Sequence, residues 1–172
     1  NSCHVDQLVD WAIAKSDEWY GPKMNSHQRD RTRAVAAAQS VQTGFVGTLL
    51  ALLTKEDIPA WRATYLSLLM PAAMDPAVTT AAKEALMDTD PLVRSAAVRL
   101  LSGTPSTAQL LTPMLQDPVR LVRLDAELAL STTLPSGSSE RKELDAYLAL
   151  SLDQPLGRLR LGQDLANRGQ LD

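Results

Sequence analysis

Apolar residues recur along most of the chain at the spacing of one face of an α-helix. In the segment "DPLVRSAAVRLL", which starts at residue 90, they fall at i, i+3, i+4, i+7 and i+8 from Val93. Asp90 suits the N-cap of this helix and Pro91 its first turn. No segment shows the strict alternation of apolar and polar residues that is typical of a half-buried strand. The pattern therefore predicts an all-α fold.

The helical segments repeat at intervals of about thirty residues. Three segments begin with an aspartate, followed by a proline and then an apolar–arginine pair; they start at Asp57, Asp90 and Asp117. We expect the aspartates to form capping and inter-repeat hydrogen bonds with the aligned arginines, which are Arg62, Arg94 and Arg123. A second set of helices lies between them, in "GFVGTLLALL", "PAVTTAAKEALM" and "STAQLLTPMLQ", where Pro113 should kink its helix or mark its start. The repeating unit is a pair of helices.

These repeats resemble HEAT repeats in the short form built on D-P-x-V-R-x-x-A-A-x-x-L. The flanking copies are looser than the middle one, with Asp125 where the middle copy has Ala96. The resemblance covers residues 27–152, where "HQRDRTRAVAAAQ" would be the first helix and residues 117–132 and 139–152 the fourth pair. It implies an α-solenoid of about four short helix pairs, stacked because one pair cannot bury its apolar face alone. The middle copy matches the pattern through Asp90, Pro91, Val93, Arg94, Ala96, Ala97 and Leu100.

The first residues carry part of the haem-attachment motif C-x-x-C-H. Residues 1–4 supply x-x-C-H, and the first cysteine of the motif would stand immediately before Asn1. An apolar helical stripe follows and is closed by Gly21 and Pro22. This segment resembles the end of the haem domain in multihaem c-type cytochromes that carry HEAT repeats and then tetratricopeptide repeats. The matching residues are Asn1, Cys3, His4, Asp6, Trp11-Ala12 and Trp19-Tyr20-Gly21.

The resemblance implies haem chemistry in a longer protein, of which this chain is expected to be a processed or excised piece. There, Cys3 would form the second thioether to haem c, and His4 would be the axial ligand of the haem iron. Without the upstream haem domain, we expect this chain to hold no haem. His27 is a candidate distal ligand or, as we prefer, a solvated residue near a helix start. Since haem attachment of this kind takes place outside the cytosol, the resemblance implies a periplasmic or extracytoplasmic location.

The C-terminal segment "QPLGRLRLGQDLANRGQLD" shows a different pattern. Leu161, Gly162, Leu165 and Gly169 stand at the spacing of the first helix and turn of a tetratricopeptide repeat, with leucine at 165 where tyrosine is usual. The alternative is an ordinary amphipathic helix that ends at a glycine C-cap. The order of motifs, which is that of the cytochrome family, favours a truncated tetratricopeptide helix. We therefore divide the chain into the end of a haem-binding region with a connecting helix (1–26), HEAT-like repeats (27–152) and the start of a tetratricopeptide repeat (153–172).

Composition and charge argue against several classes of function. The net charge is −3, with 17 basic and 20 acidic side chains, so a nucleic-acid partner is not expected. No apolar run is long enough for a membrane-spanning helix. Two histidines and one cysteine cannot build a closed zinc site, and the nucleophile, phosphate-loop and metalloprotease motifs are absent. We therefore do not expect this chain to be an enzyme.

The charged residues outside these motifs are interpreted as structural or solvated. Asp57 is expected to cap a helix, whereas Glu56, Asp17 and Glu18 are expected on the solvated surface. The C-terminal helix offers two arginines that could hold an acidic peptide, Arg158 and Arg160. The first repeat carries a cluster that we interpret as a solvated face more than an anion site: Arg29, Arg31 and Arg33.

Three functions remain. The first is a non-catalytic scaffold segment of a multihaem cytochrome c in periplasmic electron transfer, which binds a protein partner on the concave face of its repeats. The second is a stand-alone HEAT adaptor without haem. The third is a protein that resembles HEAT-type bilin lyases and holds a tetrapyrrole, although the sequence shows no conjugating group for it. In such stacks the helices of the "GFVGTLLALL" set should line the concave face. No feature of the sequence indicates an oligomeric state.

Overall fold

The computed structural model describes residues 6–7, 9–102 and 107–170, and every regular element within these ranges is a helix. The all-α prediction is confirmed for this part of the chain. The chain divides into two compact units, Asn1–Phe45 and Val46–Asp172. The predicted divisions at residues 26 and 152 stay predictions. The α-helices are α1 Val9–Tyr20, α2 Ser26–Gln39, α3 Phe45–Leu53, α4 Pro59–Leu68, α5 Pro76–Ala85, α6 Pro91–Ser102, α7 Ala108–Leu111, α8 Arg120–Ala129, α9 Ser139–Leu150 and α10 Pro155–Asn167.

The first unit contains α1 and α2, joined by a 3₁₀ turn at Gly21–Lys23. Asn25 and Gln28 form a capping box at the start of α2: the Asn25 Oδ1 accepts from the Gln28 N–H at 2.8 Å, and the Gln28 Oε1 accepts from the Asn25 N–H at 2.9 Å. This helix includes the predicted segment "HQRDRTRAVAAAQ". Its buried residues are alanines, Ala34 and Ala38.

The core of the second unit is built around α6. This helix packs against α4, α5 and α8, while α8 packs on α9, and α9 on α10. The apolar stripe that predicted α6 is buried, from Val93 through Ala97 to Leu101. Its small alanines allow neighbouring helix backbones to approach, and larger apolar side chains from α4, the residue after it and α8 fill the remaining space. Among these filling residues are Tyr65, Leu66, Leu69 and Val122, none of which is exposed.

The helix caps follow the sequence prediction at one repeat and contradict it at another. Asp90 caps α6 as predicted, because its Oδ1 accepts from the Leu92 N–H at 2.8 Å. The expectation for Asp57 is wrong, since α4 has Ile58 at its N-cap. Glu56 is not on the solvated surface either: it is buried, its Oε1 accepts from the Ile58 N–H at 3.0 Å, and its Oε2 accepts from the Tyr65 hydroxyl at 3.0 Å. The buried Glu56 carboxylate, which accepts two hydrogen bonds, therefore stabilises the start of α4 in place of the exposed Asp57.

Of two further boundaries, one differs from the sequence prediction and one agrees with it. The helix expected from Asp117 begins only at Arg120, and the Asp117 carboxylate accepts from the Val119 N–H at 2.8 Å in the turn before it. Pro113 marks a start, as predicted: α7 ends at Leu111 and a 3₁₀ helix covers Thr112–Gln116. At the other end, α10 is followed by Gly169 at a φ of 68°. That glycine turn fits both interpretations of the C-terminal helix.

Candidate functional site

Three arginines repeat one hydrogen-bonding arrangement in the second unit. Arg62, Arg94 and Arg123 each stand in the first turn of a helix, on α4, α6 and α8. Each Nη1 donates to the carbonyl oxygens of the residues six and five positions earlier, at 2.9–3.3 Å. Each Nε and Nη2 donates to a carboxylate further along the chain, in the pairs Arg62–Asp88, Arg94–Asp117 and Arg123–Glu143.

This arrangement confirms the predicted pairing of aspartates with arginines only in part. Arg94 pairs with one of the expected aspartates, Asp117, whereas Arg62 and Arg123 pair with Asp88 and Glu143, which were not expected. Burial alone would raise the pKa of Asp117, but hydrogen bonds from Arg94 and the Val119 N–H bring that pKa below its ordinary value. The Arg94 side chain is 13% exposed and that of Asp117 is 5% exposed, so water screens this pair little. Because all three nitrogens of each guanidinium donate to oxygens of the chain, and four of its five N–H groups are used in this way, these arginines hold loops in place.

One concave surface is an open groove between α3 and α5, with a volume of about 500 Å³. Leu50 and Leu53 of α3 line one wall, and the other wall is a face of α5 made of alanines. Both helices belong to the second set predicted from the sequence. The prediction that this set lines the concave, partner-binding face of a stack remains a prediction. The alanines are Ala77, Ala81 and Ala85, and the floor includes the buried Val93.

Nearly all polar groups of this groove already have partners inside the protein. The Thr54 hydroxyl donates to the Ala51 carbonyl at 3.0 Å, and the Thr80 hydroxyl donates to the Pro76 carbonyl at 2.9 Å. Arg62 and Asp88, at one end of the groove, are paired with each other. The surface is therefore suited to apolar side chains, since apolar groups need no hydrogen bond there. Glu84 on the rim is the exception.

A second site of unusual electrostatics lies between α8 and α9. Glu127 is completely buried, and among the described residues no donor pairs with either of its carboxylate oxygens. Burial raises the pKa of Glu127 to about 7, helped by the nearby charge of Glu143. Glu143 itself is held ionised: hydrogen bonds from Arg123 lower its pKa, with a further contribution from Arg120. Beside the ionised Glu143, the Glu127 carboxyl group therefore keeps its proton to a higher pH than an exposed glutamate does.

The residues predicted to bind haem, Cys3 and His4, lie outside the described residues. His27 stands in the first turn of α2 and is half-buried. Within residues 6–7, 9–102 and 107–170, no group of three or more histidine, cysteine or acidic side chains could hold a metal ion. Over the same ranges, the helices lack the length and apolar character needed to cross a bilayer.

The arginine clusters noted in the sequence are mostly used locally. Arg29 donates to the carbonyl oxygens of Gly21 and Met24, at 3.3 and 2.8 Å, and holds the turn before α2. Arg33 is 78% exposed, which fits a solvated face. In α10, Arg158 donates to the Leu152 carbonyl and Arg160 to the Tyr147 hydroxyl, so the predicted acidic-peptide site would have to compete with these bonds.

The sequence interpretation missed two buried charges whose positions carried a signal. Arg141 shares one helical face with Leu144 and Leu148, at i, i+3 and i+7, and is buried with them. It donates to Asp164, whose side chain is 1% exposed, with two bonds of 3.0 Å. A charged residue within an apolar stripe predicts a buried partner. The spacing along α9 could therefore have revealed the site, although it could not have named Asp164.

Comparison of the chain with protein-family models, with curated proteins and with solved structures finds no match. The groove and the buried ion pairs therefore have to be interpreted from their own chemistry.

Proposed function

We propose that this chain is a non-catalytic interaction scaffold, an α-solenoid segment of short HEAT-like helix pairs that binds a protein partner in the groove between α3 and α5. The observation that carries the proposal is this open apolar groove, whose threonine hydroxyls and Arg62–Asp88 pair are satisfied within the chain. A groove of this kind contributes binding energy by burying apolar surface, and it contains no arrangement of groups for bond making. The repeated arginine bonds between successive helices support the stacked arrangement.

The second part of the proposal concerns the longer protein. We infer that the segment follows the haem-binding region of a multihaem cytochrome c that transfers electrons in the periplasm. Its support is the order of motifs along the sequence: Cys3-His4, the Trp-bearing helix, the HEAT-like repeats and the C-terminal helix. In that protein, haem c would carry the electron, Cys3 would attach the haem, and His4 would ligate its iron. The scaffold would position the haem domain against its partner.

The haem part is tested on a longer protein that carries this chain, produced in a host that matures c-type cytochromes. We would record a reduced-minus-oxidised visible spectrum and measure the mass of the peptide that contains Cys3. A c-type spectrum together with haem mass on that peptide is the expected result. A haem-free protein with an unmodified Cys3 would overturn the cytochrome assignment and leave a HEAT adaptor. A bound but non-covalent tetrapyrrole would instead point to the lyase-like alternative.

A further inference from the structure

One charge on the rim of the α3–α5 groove has no counter-ion. Glu84 is exposed, and among the described residues no donor pairs with its carboxylate. The other charges that line the groove neutralise each other, since the Arg62 Nη2 donates to the Asp88 Oδ1 at 2.9 Å and the Arg62 Nε to the Asp88 Oδ2 at 3.1 Å. The groove therefore presents an apolar surface with a single negative charge at its edge.

The shape of the groove fits one face of a helix. The three α5 alanines that line it stand at i, i+4 and i+8, which corresponds to about 12 Å along the helix axis at 1.5 Å per residue. Alanine side chains let another helix backbone approach closely, and the leucines of α3 close the opposite wall. An occupant with apolar residues at i, i+3 or i+4 and i+7 would place about two turns in this space.

We propose that the groove receives an amphipathic helix of a partner protein that carries a lysine or arginine beside its apolar face, with this cation paired to Glu84. The inference rests on the proposed scaffold role and adds the chemistry of the partner. Apolar contact with the two walls supplies most of the affinity, because an exposed ion pair contributes little. The pairing with Glu84 selects a basic helix over an acidic one.

The test titrates the full chain with three synthetic helical peptides of equal length and identical leucine pattern. Their polar faces carry only lysine, only glutamine or only glutamate. Backbone amide chemical shifts in an NMR spectrum locate the binding and give dissociation constants. We expect the lysine peptide to shift the amides of α3 and α5 and to bind about fivefold more tightly than the glutamate peptide, with the glutamine peptide between them.

Two substitutions assign the effect to the groove. Glu84→Lys should reverse the order of the lysine and glutamate peptides. The matched control is Asp153→Lys, which makes the same change of charge at an exposed position between α9 and α10 and should leave the order unchanged. Ala81→Trp fills the groove and should weaken all three peptides.

The outcomes separate the charge from the docking surface. Equal binding of all three peptides at α3 and α5 would overturn the basic-partner inference while leaving the groove as the docking surface of the scaffold. Binding of the lysine peptide that shifts other amides, or that survives Ala81→Trp, would show that net charge alone attracts it and would also overturn the inference. If no peptide shifted the α3 and α5 amides, the inference and the docking role of the groove would both fail. Concentration-dependent association of the chain with itself through α5 would replace the basic helix by a second copy as the occupant.

Discussion

The helices around α6 and the C-terminal pair α9–α10 use arginines with little exposure to solvent in different ways. Around α6, Arg62 and Arg94 reach forward to an aspartate in a following loop, and that aspartate also accepts a backbone N–H two residues further on. In α9, Arg141 donates instead to Asp145 on its own helix and to Asp164 within α10. In both regions an arginine with little exposure needs a carboxylate partner. A loop supplies that carboxylate around α6, and the facing helix α10 supplies it for α9.

The difference follows from what lies at each turn. The loops before α6 and α8 supply an aspartate whose carboxylate can accept both a guanidinium and a nearby N–H. At the turn between α9 and α10 two stretches of the chain approach closely, because a Cβ at the buried Gly157 would overlap the carbonyl oxygen of Ser151. The carboxylate that pairs with Arg141 lies inside α10, at Asp164, and is more deeply buried than the loop aspartates. A pair between helices should therefore cost more to break than a pair at a loop.

The largest effect is expected at the C-terminal pair. Replacing Arg141 by methionine removes two hydrogen bonds from Asp164, whose remaining donor among the described residues is Arg168 at 2.8 Å. A buried carboxylate that loses its main counter-ion costs about 3–5 kcal/mol of unfolding free energy. Urea unfolding at pH 7 measures the loss. The control Arg33→Met, at a 78% exposed side chain, should change stability by less than about 0.5 kcal/mol. A loss at Arg141 no larger than that of the control would contradict this account.

The loop pairs come next. Arg94→Ala and Asp117→Ala should each cost about 2–3 kcal/mol, because either change leaves a little-exposed charged partner behind. A double-mutant cycle should give a coupling of more than about 1 kcal/mol. The Arg62–Asp88 pair is the internal comparison: its side chains are 19% and 18% exposed, so water screens it more and its coupling should be smaller. Equal coupling in the two cycles would mean that burial does not set the strength of these pairs.

The part of the fold that sequence reasoning predicted is the part that local pattern controls. The stripe of α6, its Asp90 cap and the alignment of Arg62, Arg94 and Arg123 could all be inferred from spacing, because each depends on neighbours within a few helical turns. Glu56 was assigned wrongly because two adjacent acids look alike in sequence. Only the position of the Tyr65 hydroxyl in the folded chain decides which of them is buried.

Between the two regions, the α8–α9 contact should respond to pH through Glu127. Its pKa is raised above the ordinary 4.5 to about 7, so the folded chain binds this proton more tightly than the unfolded chain. The stability from this group is fully present below about pH 4.5 and is lost as the pH rises to about 7. Glu127→Gln should therefore match the wild type near pH 4.5 and be about 1–2 kcal/mol more stable at pH 8.

Thermal unfolding of both proteins across this pH range measures the difference. The difference between wild type and variant is the relevant quantity, since Asp125, whose pKa burial also raises, contributes to both curves. Glu143→Gln is a second variant for this test, because it removes the neighbouring charge that helps raise the pKa of Glu127. Parallel curves for wild type and Glu127→Gln would mean that the carboxyl group is ionised and solvated in the folded chain.

The candidate groove could be located only in part from sequence. The α3 and α5 segments were recognised as a matching set, and that set was expected to face a partner. The single charge at Glu84 could not be singled out, because the sequence contains 20 acidic residues and does not show which of them have partners. The pairing of Arg62 with Asp88, 26 residues away, removes two charges from the groove and makes Glu84 distinctive. Such pairings arise from tertiary packing, which local spacing does not encode.

The smallest effect separates a true cap from its sequence look-alike. Asp90→Ala removes the acceptor of the Leu92 N–H at the start of α6 and should cost about 1 kcal/mol. Asp57→Ala should change stability by less than about 0.5 kcal/mol, because the carboxylate that serves α4 is Glu56. Urea unfolding of both variants, with Asp90→Asn as a control that keeps an accepting oxygen, resolves the two values. If the Asp57 variant lost as much as the Asp90 variant, the repeats would share one capping position. Arg62 donates to the Glu56 carbonyl and Arg94 to the Asp88 carbonyl, so these bonds align Glu56 with Asp88. Equal losses at Asp57 and Asp90 would mean that this alignment is not the one that relates the two segments.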